Sequence, residues 1–152
     1  MTPVRTQVME ALCTALKTIP ELKTVKRFEP VPTDLARVPT PACYIFDTVA
    51  ETFTRNNRVM IAEQEVNIAV FIELTAKDTD ERYVPFNNQA DIIQSKIHTA
   101  MQTQVLDSTG IIQDVQDQSS EREISNESWG VLTYTVTVRY RHKYGDGFTA
   151  GT

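Results

Sequence analysis

The sharpest pattern in the chain is a period-two alternation near its middle. Val66, Ile68, Val70, Ile72 and Leu74 fall on one side, and Glu65, Asn67, Ala69, Phe71 and Glu73 on the other. Alternation of this length predicts a β-strand with one buried face. It is the second arm of a ribbon running from Pro41 to Thr75, with its turn at Arg55-Asn56-Asn57-Arg58. Asparagine accepts the left-handed backbone conformation that such a turn demands. The first arm is less regular, and a bulge or bend is expected between Asp47 and Glu51. A strand of about 13 residues runs ~44 Å. A compact chain of this length has a radius of gyration of only ~15 Å, so the ribbon must span the domain or project from it.

A second alternation closes the chain. Leu132, Tyr134, Val136, Val138 and Tyr140 alternate with Thr133, Thr135, Thr137, Arg139 and Arg141. Helical periodicity occurs in two places. Val4, Val8, Leu12, Ala15, Leu16 and Ile19 repeat at about 3.6 residues, with Thr2 as expected N-cap, Pro3 in the first turn and Pro20 near the end. Ala90, Ile93, Ile97, Ala100 and Met101 form the stripe of a second helix, expected to begin near Asn87 or Asn88 with Asp91 favourable to its dipole. Thr24 to Phe28 reads as a short strand. The proline-rich segment Glu29 to Pro41 reads as an extended connection with one helical turn near Asp34. Ala76 to Pro85 reads as a charged loop. Ile111 to Val115 is a short strand, Gln116 to Glu123 a polar loop or hairpin tip, and Phe148 to Thr152 a loose tail. The order helix, strands, helix, strands predicts an α+β fold, with two helices packed on one face of a mostly antiparallel sheet and a long projecting β-hairpin. One domain over residues 1–144 and a flexible tail over 145–152 follow, with no internal repeat.

Composition removes several function classes. The 152 residues hold 15 basic and 20 acidic side chains, a net charge of −5. Such a chain has no general attraction for nucleic acid or anionic membrane. No apolar run approaches the ~20 residues that span a bilayer. The N-terminal residues lack the apolar block of a secretion signal. None of the five glycines precedes Gly110, so neither a phosphate loop nor a dinucleotide fingerprint can be written onto the sequence. Cys13 and Cys43 read as reduced core thiols, with a disulfide as the alternative.

Candidate chemistry is thin. His98 and His142 have no cysteine or carboxylate at metal-ligand spacing and read as structural. Asp78, Asp80 and Glu81 lack the ligand count and turn glycine of a calcium loop. Asp114, Asp117, Glu121 and Glu123 read as a solvated patch, with an interface or pore lining as the other possibility. Arg139 to Tyr144, RYRHKY, is the one basic and aromatic cluster. It reads as a strand with an exposed arginine face, and phosphate gripping with base stacking is the sharper alternative. These patterns predict no catalytic residue, no metal and no cofactor. The residues expected to meet a partner are Arg55, Asn56, Asn57 and Arg58 at the ribbon tip, Glu63 and Glu65 behind it, and Arg139 and Arg141 on the last strand. Exposed charges of this kind add little stability but select partners.

From Val4 to Lys143, the chain resembles the tail terminator proteins of long-tailed bacteriophages. The resemblance is carried by VRTQVMEALCTALKTI, a proline-rich connection into PACYIF, a charged hairpin, QEVNIAVFIEL, ADIIQSKIHTAMQ and the closing TYTVTVRYR. It implies a small subunit of a ring, typically hexameric, that caps the tail tube, stops its polymerisation and offers a docking surface to the head connector. Its implied partners are further copies of itself, the tail tube protein and the connector or adaptor protein, at the tail–neck junction of the virion. DNA would pass through the ring without specific binding, and six copies would carry about −30, which favours sliding. The chain departs from that pattern in its marked proline-rich connection and in a tip, RNNR, without glycine. A head–tail joining protein of the neck, or a small ferredoxin-like regulatory or metabolic domain, are the alternatives.

Overall fold

The computed structural model describes residues 2–27, 37–47, 51–74, 79–105, 111–124 and 129–151. Two helices and seven strands appear in the order α1 (Val4–Lys17), β1 (Thr24–Arg27), β2 (Ala42–Phe46), β3 (Glu51–Asn56), β4 (Val59–Glu73), α2 (Thr79–Thr99), β5 (Ile112–Ile124), β6 (Trp129–Lys143) and β7 (Asp146–Ala150). A π-helical turn, Ala100–Val105, prolongs α2. The fold is α+β.

The two alternating segments become the centre of the sheet. Its strand order is β1-β2-β4-β6-β5, with β3 also on β4 and β7 also on β6. Only β1 and β2 are parallel; the other pairings are antiparallel. β4 and β6 pair without a break from Val59↔Lys143 to Glu73↔Trp129, fifteen residues on each strand. At ~3.4 Å per residue that pair is about 50 Å long.

Even-numbered positions of both strands face the helices. Val66, Ile68, Val70, Ile72, Leu132, Val136 and Val138 are buried there against Val8, Leu12 and Leu16 of α1 and Ile93 and Ile97 of α2. The opposite face is only partly covered. On it Tyr44, 2% exposed, sits across from Ala69, and its ring meets Phe71 edge-on at 5.8 Å. That neighbour explains why Ala69 is buried although the alternation places it away from the helices.

β2 and β3 lie end to end along one edge of β4. Phe46 faces Asn67 and Glu51 faces Gln64. Four positions therefore separate these pairs on the first arm and only two on β4, so the arm carries two extra residues. The bulge or bend expected between Asp47 and Glu51 falls on residues 48–50, which lie outside the described residues. Beyond it β3 pairs with β4 as far as the turn, and every residue from Thr52 to Arg58 is exposed. Asn57 takes the turn with φ 55°, the left-handed conformation its side chain tolerates.

Four expectations are corrected. Helix α1 begins at Val4 with Pro3 at its cap position and no side-chain cap, so Thr2 does not cap it. Helix α2 begins at Thr79, within the segment read as a loop, and contains Pro85. A proline in a helix removes one backbone hydrogen bond; here Pro85 is exposed while the adjacent Phe86 is buried and anchors the turn. Gln116 to Glu123 is strand: β5 runs to Ile124 along the outer edge of β6. Its alternation is erased because an edge strand is held by its ladder, and two register shifts, at Ile112/Asp114 and Asp117/Ser119, interrupt the facing pattern. The segment after Gly145 is a strand, β7, turned back onto β6 through Gly145 at φ 78°. Phe28, the turn near Asp34, Asp78 and Gly110 lie outside the described residues, and Asp80 and Glu81 belong to α2.

Gly130 in β6 lies under Phe86 of α2: a Cβ there would stand 2.3 Å from the ring's Cε2. Gly130→Ala is expected to destabilise the fold by about 1–3 kcal/mol through overpacking. Urea unfolding should show a lowered midpoint that Phe86→Leu in the same chain partly restores. An unchanged midpoint in the single variant would contradict the close helix–sheet approach.

Candidate functional site

Three arginines come together at the hairpin tip. Arg55 comes from the end of β3, Arg58 from the turn and Arg141 from β6, which pairs with β4 at Ile61. Together with Asn56, Asn57 and Gln113 they line an open groove of about 710 Å³. No carboxylate is among its described lining residues. Arg55 is held in place: its Nε donates to the Asn57 carbonyl at 3.2 Å, and its guanidinium lies 4.0 Å from the centroid of the Tyr144 ring. That cation–π contact orients the charge and leaves its forward edge open. Arg141 is less satisfied. Its Nε is buried and has no acceptor among the described residues. The chemistry of such a groove is recognition of carboxylate or phosphate oxygens by forked donors. It holds no nucleophile or general base.

Phe53, Tyr144 and Phe148 are exposed large apolar side chains of the flanking elements β3, the β6–β7 turn and β7. Arginine and aromatic residues are the types that dominate binding at protein interfaces.

The remaining residues expected to meet a partner are distributed differently. Glu63 and Arg139 face each other across β4 and β6, and the Arg139 Nη2 donates to the Glu63 Oε1 within the subunit. That neighbour holds the Arg139 pKa above its ordinary value. Glu65 lies opposite Thr137 on the same face. The tip residues and Arg141 are thus brought together, whereas Glu63 and Arg139 neutralise one another.

The candidate residues missed by sequence reasoning form a buried network behind the tip. Asp47 is fully buried. Its Oδ2 accepts from Arg27 Nη2 at 3.0 Å and lies 3.6 Å from Arg5 Nη2. Arg5 also donates to the Asp47 carbonyl at 2.6 Å and to Gln64 Oε1 at 3.1 Å, and its Nε lies 3.4 Å from Glu51. Buried Gln64 returns a donor to the Asp47 carbonyl at 3.0 Å. The Tyr140 hydroxyl donates to Glu51. Burial, and then this bond, push the Tyr140 pKa well above its ordinary value. The available signal was Gln64, a polar residue at the phase of the apolar face.

Both histidines are exposed or partly exposed: His98 contacts Asp117 across from β5, and His142 Nδ1 contacts the Lys143 carbonyl. Cys13 and Cys43 are free thiols, and burial raises the pKa of both. Among the described residues no group of three His, Cys, Asp or Glu side chains could hold a metal, and no helix is long and apolar enough to cross a membrane. Comparison with protein-family models and with curated proteins finds no match to this chain.

Two expectations test the network. Asp47→Ala leaves two arginines facing a cavity without their shared carboxylate and should cost about 3–5 kcal/mol in urea unfolding; a loss below ~1 kcal/mol would mean that the network contributes no more than a surface pair. Because the folded pKa of Tyr140 lies above the unfolded value, its contribution is complete below about pH 10 and disappears as pH rises through the folded value. Tyr140→Phe should therefore lose about 1 kcal/mol near neutrality and decline less steeply in alkali. Tyr134, also raised by burial and by Asp117, keeps part of that slope.

Proposed function

We propose that this protein is a structural assembly subunit without covalent chemistry, a tail terminator of a long-tailed bacteriophage. In this reading it forms a homo-hexameric ring that caps the tail tube and presents a docking surface to the head connector. The carrying observation is the hairpin tip: Arg55 and Arg58 stand at an exposed turn without a carboxylate partner among the described residues. An exposed, charged, partly aromatic element is poor for single-chain stability and useful for contact with a neighbour. The resemblance of the element order to the terminator family supplies the identity of the assembly. The acidic balance of the chain suits a channel through which DNA passes without being gripped.

Two measurements test this reading. Added to purified tail tubes that lack heads, the protein should bind one end only and halt elongation, visible by electron microscopy and co-sedimentation. Binding along the tube wall, or none, would contradict it. Replacing Arg55 and Arg58 together with glutamate should leave the circular dichroism and unfolding midpoint unchanged. It should weaken self-association by at least ~10-fold, about 1.4 kcal/mol; unchanged assembly size in light scattering would remove the tip from the interface.

A further inference from the structure

The face of the sheet turned away from the helices is electrically polarised along its length. β6 places Val131, Thr133, Arg139 and Arg141 on that face, at odd positions of one strand. Arg141, beside Ile61, and Arg58 of the turn line a groove at one end, whereas Arg55, opposite Met60, leaves from the other face at its rim. At the other end, Glu121 faces Thr133 and Glu123 faces Val131 in register, so both carboxylates share the face. They border a second open groove of about 410 Å³ with Arg122, Val131 and Thr133. The intervening Arg122 points to the other side and is engaged by α2: it bonds Asp91 at 2.6 Å, Gln94 at 3.0 Å and Asn87 at 3.1 Å. It therefore does not neutralise Glu121 or Glu123. Neither glutamate has an ion pair among the described residues.

Thr133 and Arg141 are eight residues apart on β6, which is about 27 Å at ~3.4 Å per residue. An arginine side chain reaches less than a third of that distance. The basic and acidic ends cannot satisfy each other within one molecule, and each fits the other on a second molecule.

We propose that the arginine groove at the hairpin tip is an acceptor for the Glu121 and Glu123 carboxylates of a second copy of this chain. The contact deepens the ring reading above by naming the surface that the tip meets. Arg58 and Arg141 take the carboxylates as forked donors. The acidic half also argues against nucleic acid as the occupant. A duplex laid along this face would bring its phosphates over Glu65, Asp114, Glu121 and Glu123. Joining unlike ends of a subunit is a heterologous contact, which propagates until the rotation closes.

The test is a charge exchange in the full chain. Arg58→Glu with Arg141→Glu, and separately Glu121→Arg with Glu123→Arg, should each weaken self-association by at least ~30-fold, since like charges then meet in the contact. Mixing the two variants, or combining all four substitutions in one chain, should restore assembly in sedimentation velocity, both free and on tail tubes. Restoration is a result that misfolding cannot produce. Failure of both the mixture and the combined chain, with circular dichroism unchanged, overturns the contact. So does loss of duplex DNA binding in the arginine variant, where the wild type binds DNA and does not self-associate. A wild-type ring indifferent to both reversals overturns the contact and leaves the ring reading standing. Charge-exchange rescue that stops at a dimer supports the contact and overturns the ring. A wild type monomeric in solution and on tubes overturns both.

Discussion

The fold hinges on one buried carboxylate. Asp47 ends β2 and is held by Arg27 of β1 and Arg5 of α1, with Gln64 of β4 bonded to its carbonyl. Glu51 of β3 and Tyr140 of β6 complete the group. Helix α1 and five strands therefore converge on a few polar atoms. Two arginines and two carboxylates balance in charge, which is the condition under which a buried ionic group is tolerated. The place is structurally determined. Between Phe46↔Asn67 and Glu51↔Gln64 the first arm carries two residues more than β4. A ladder interrupted in this way leaves backbone groups that need other partners. Arg5 and Gln64 supply two of them by binding the Asp47 carbonyl at 2.6 and 3.0 Å. The network ties the residue after β2 to the first residue of β3. The register of β3 on β4 in turn places Arg55 and Arg58 at the tip.

Legibility in the sequence followed the number of faces an element buries. β4 and β6 lie at the sheet centre with one face against the helices, so their period-two patterns were plain. The turn at Asn57 was legible because its φ of 55° has a chemical signature. β5 carries the pattern of a loop because, from Gln116 to Glu123, its side chains are exposed on both faces. Its ladder to β6 does the holding, and ladders leave no mark on side-chain chemistry. The start of α2 was hidden by Pro85, which costs a hydrogen bond but not the helix where Phe86 is buried beside it. The Asp47 network was illegible for a different reason. Its members span positions 5 to 140, and nothing local marks Arg5, Arg27 or Tyr140 as neighbours. The candidate tip was legible in composition, whereas the contribution of Arg141 required the pairing of β4 with β6.

The sheet's edges bear on what the exposed ribbon is for. A free edge is a template for further pairing, and proteins blunt it with bulges and charge. β5 shows both devices: two register shifts, and Asp114, Asp117, Glu121, Arg122 and Glu123 along its length. β3 is short and bears Phe53 at 56% exposure beside Thr52 and Thr54, with Arg55 as its first basic residue. One edge is thus defended against indiscriminate pairing while the other is left apolar at its middle and basic at its end. In the proposed assembly subunit, which must meet one neighbour in one orientation, this asymmetry would do two jobs. The defended edge presents carboxylates instead of an open ladder. The ribbon carries the arginines that distinguish that edge from any other surface. Under that proposal selectivity would come from charge placed at the two ends of a single face, and affinity from the aromatic and apolar side chains around the tip.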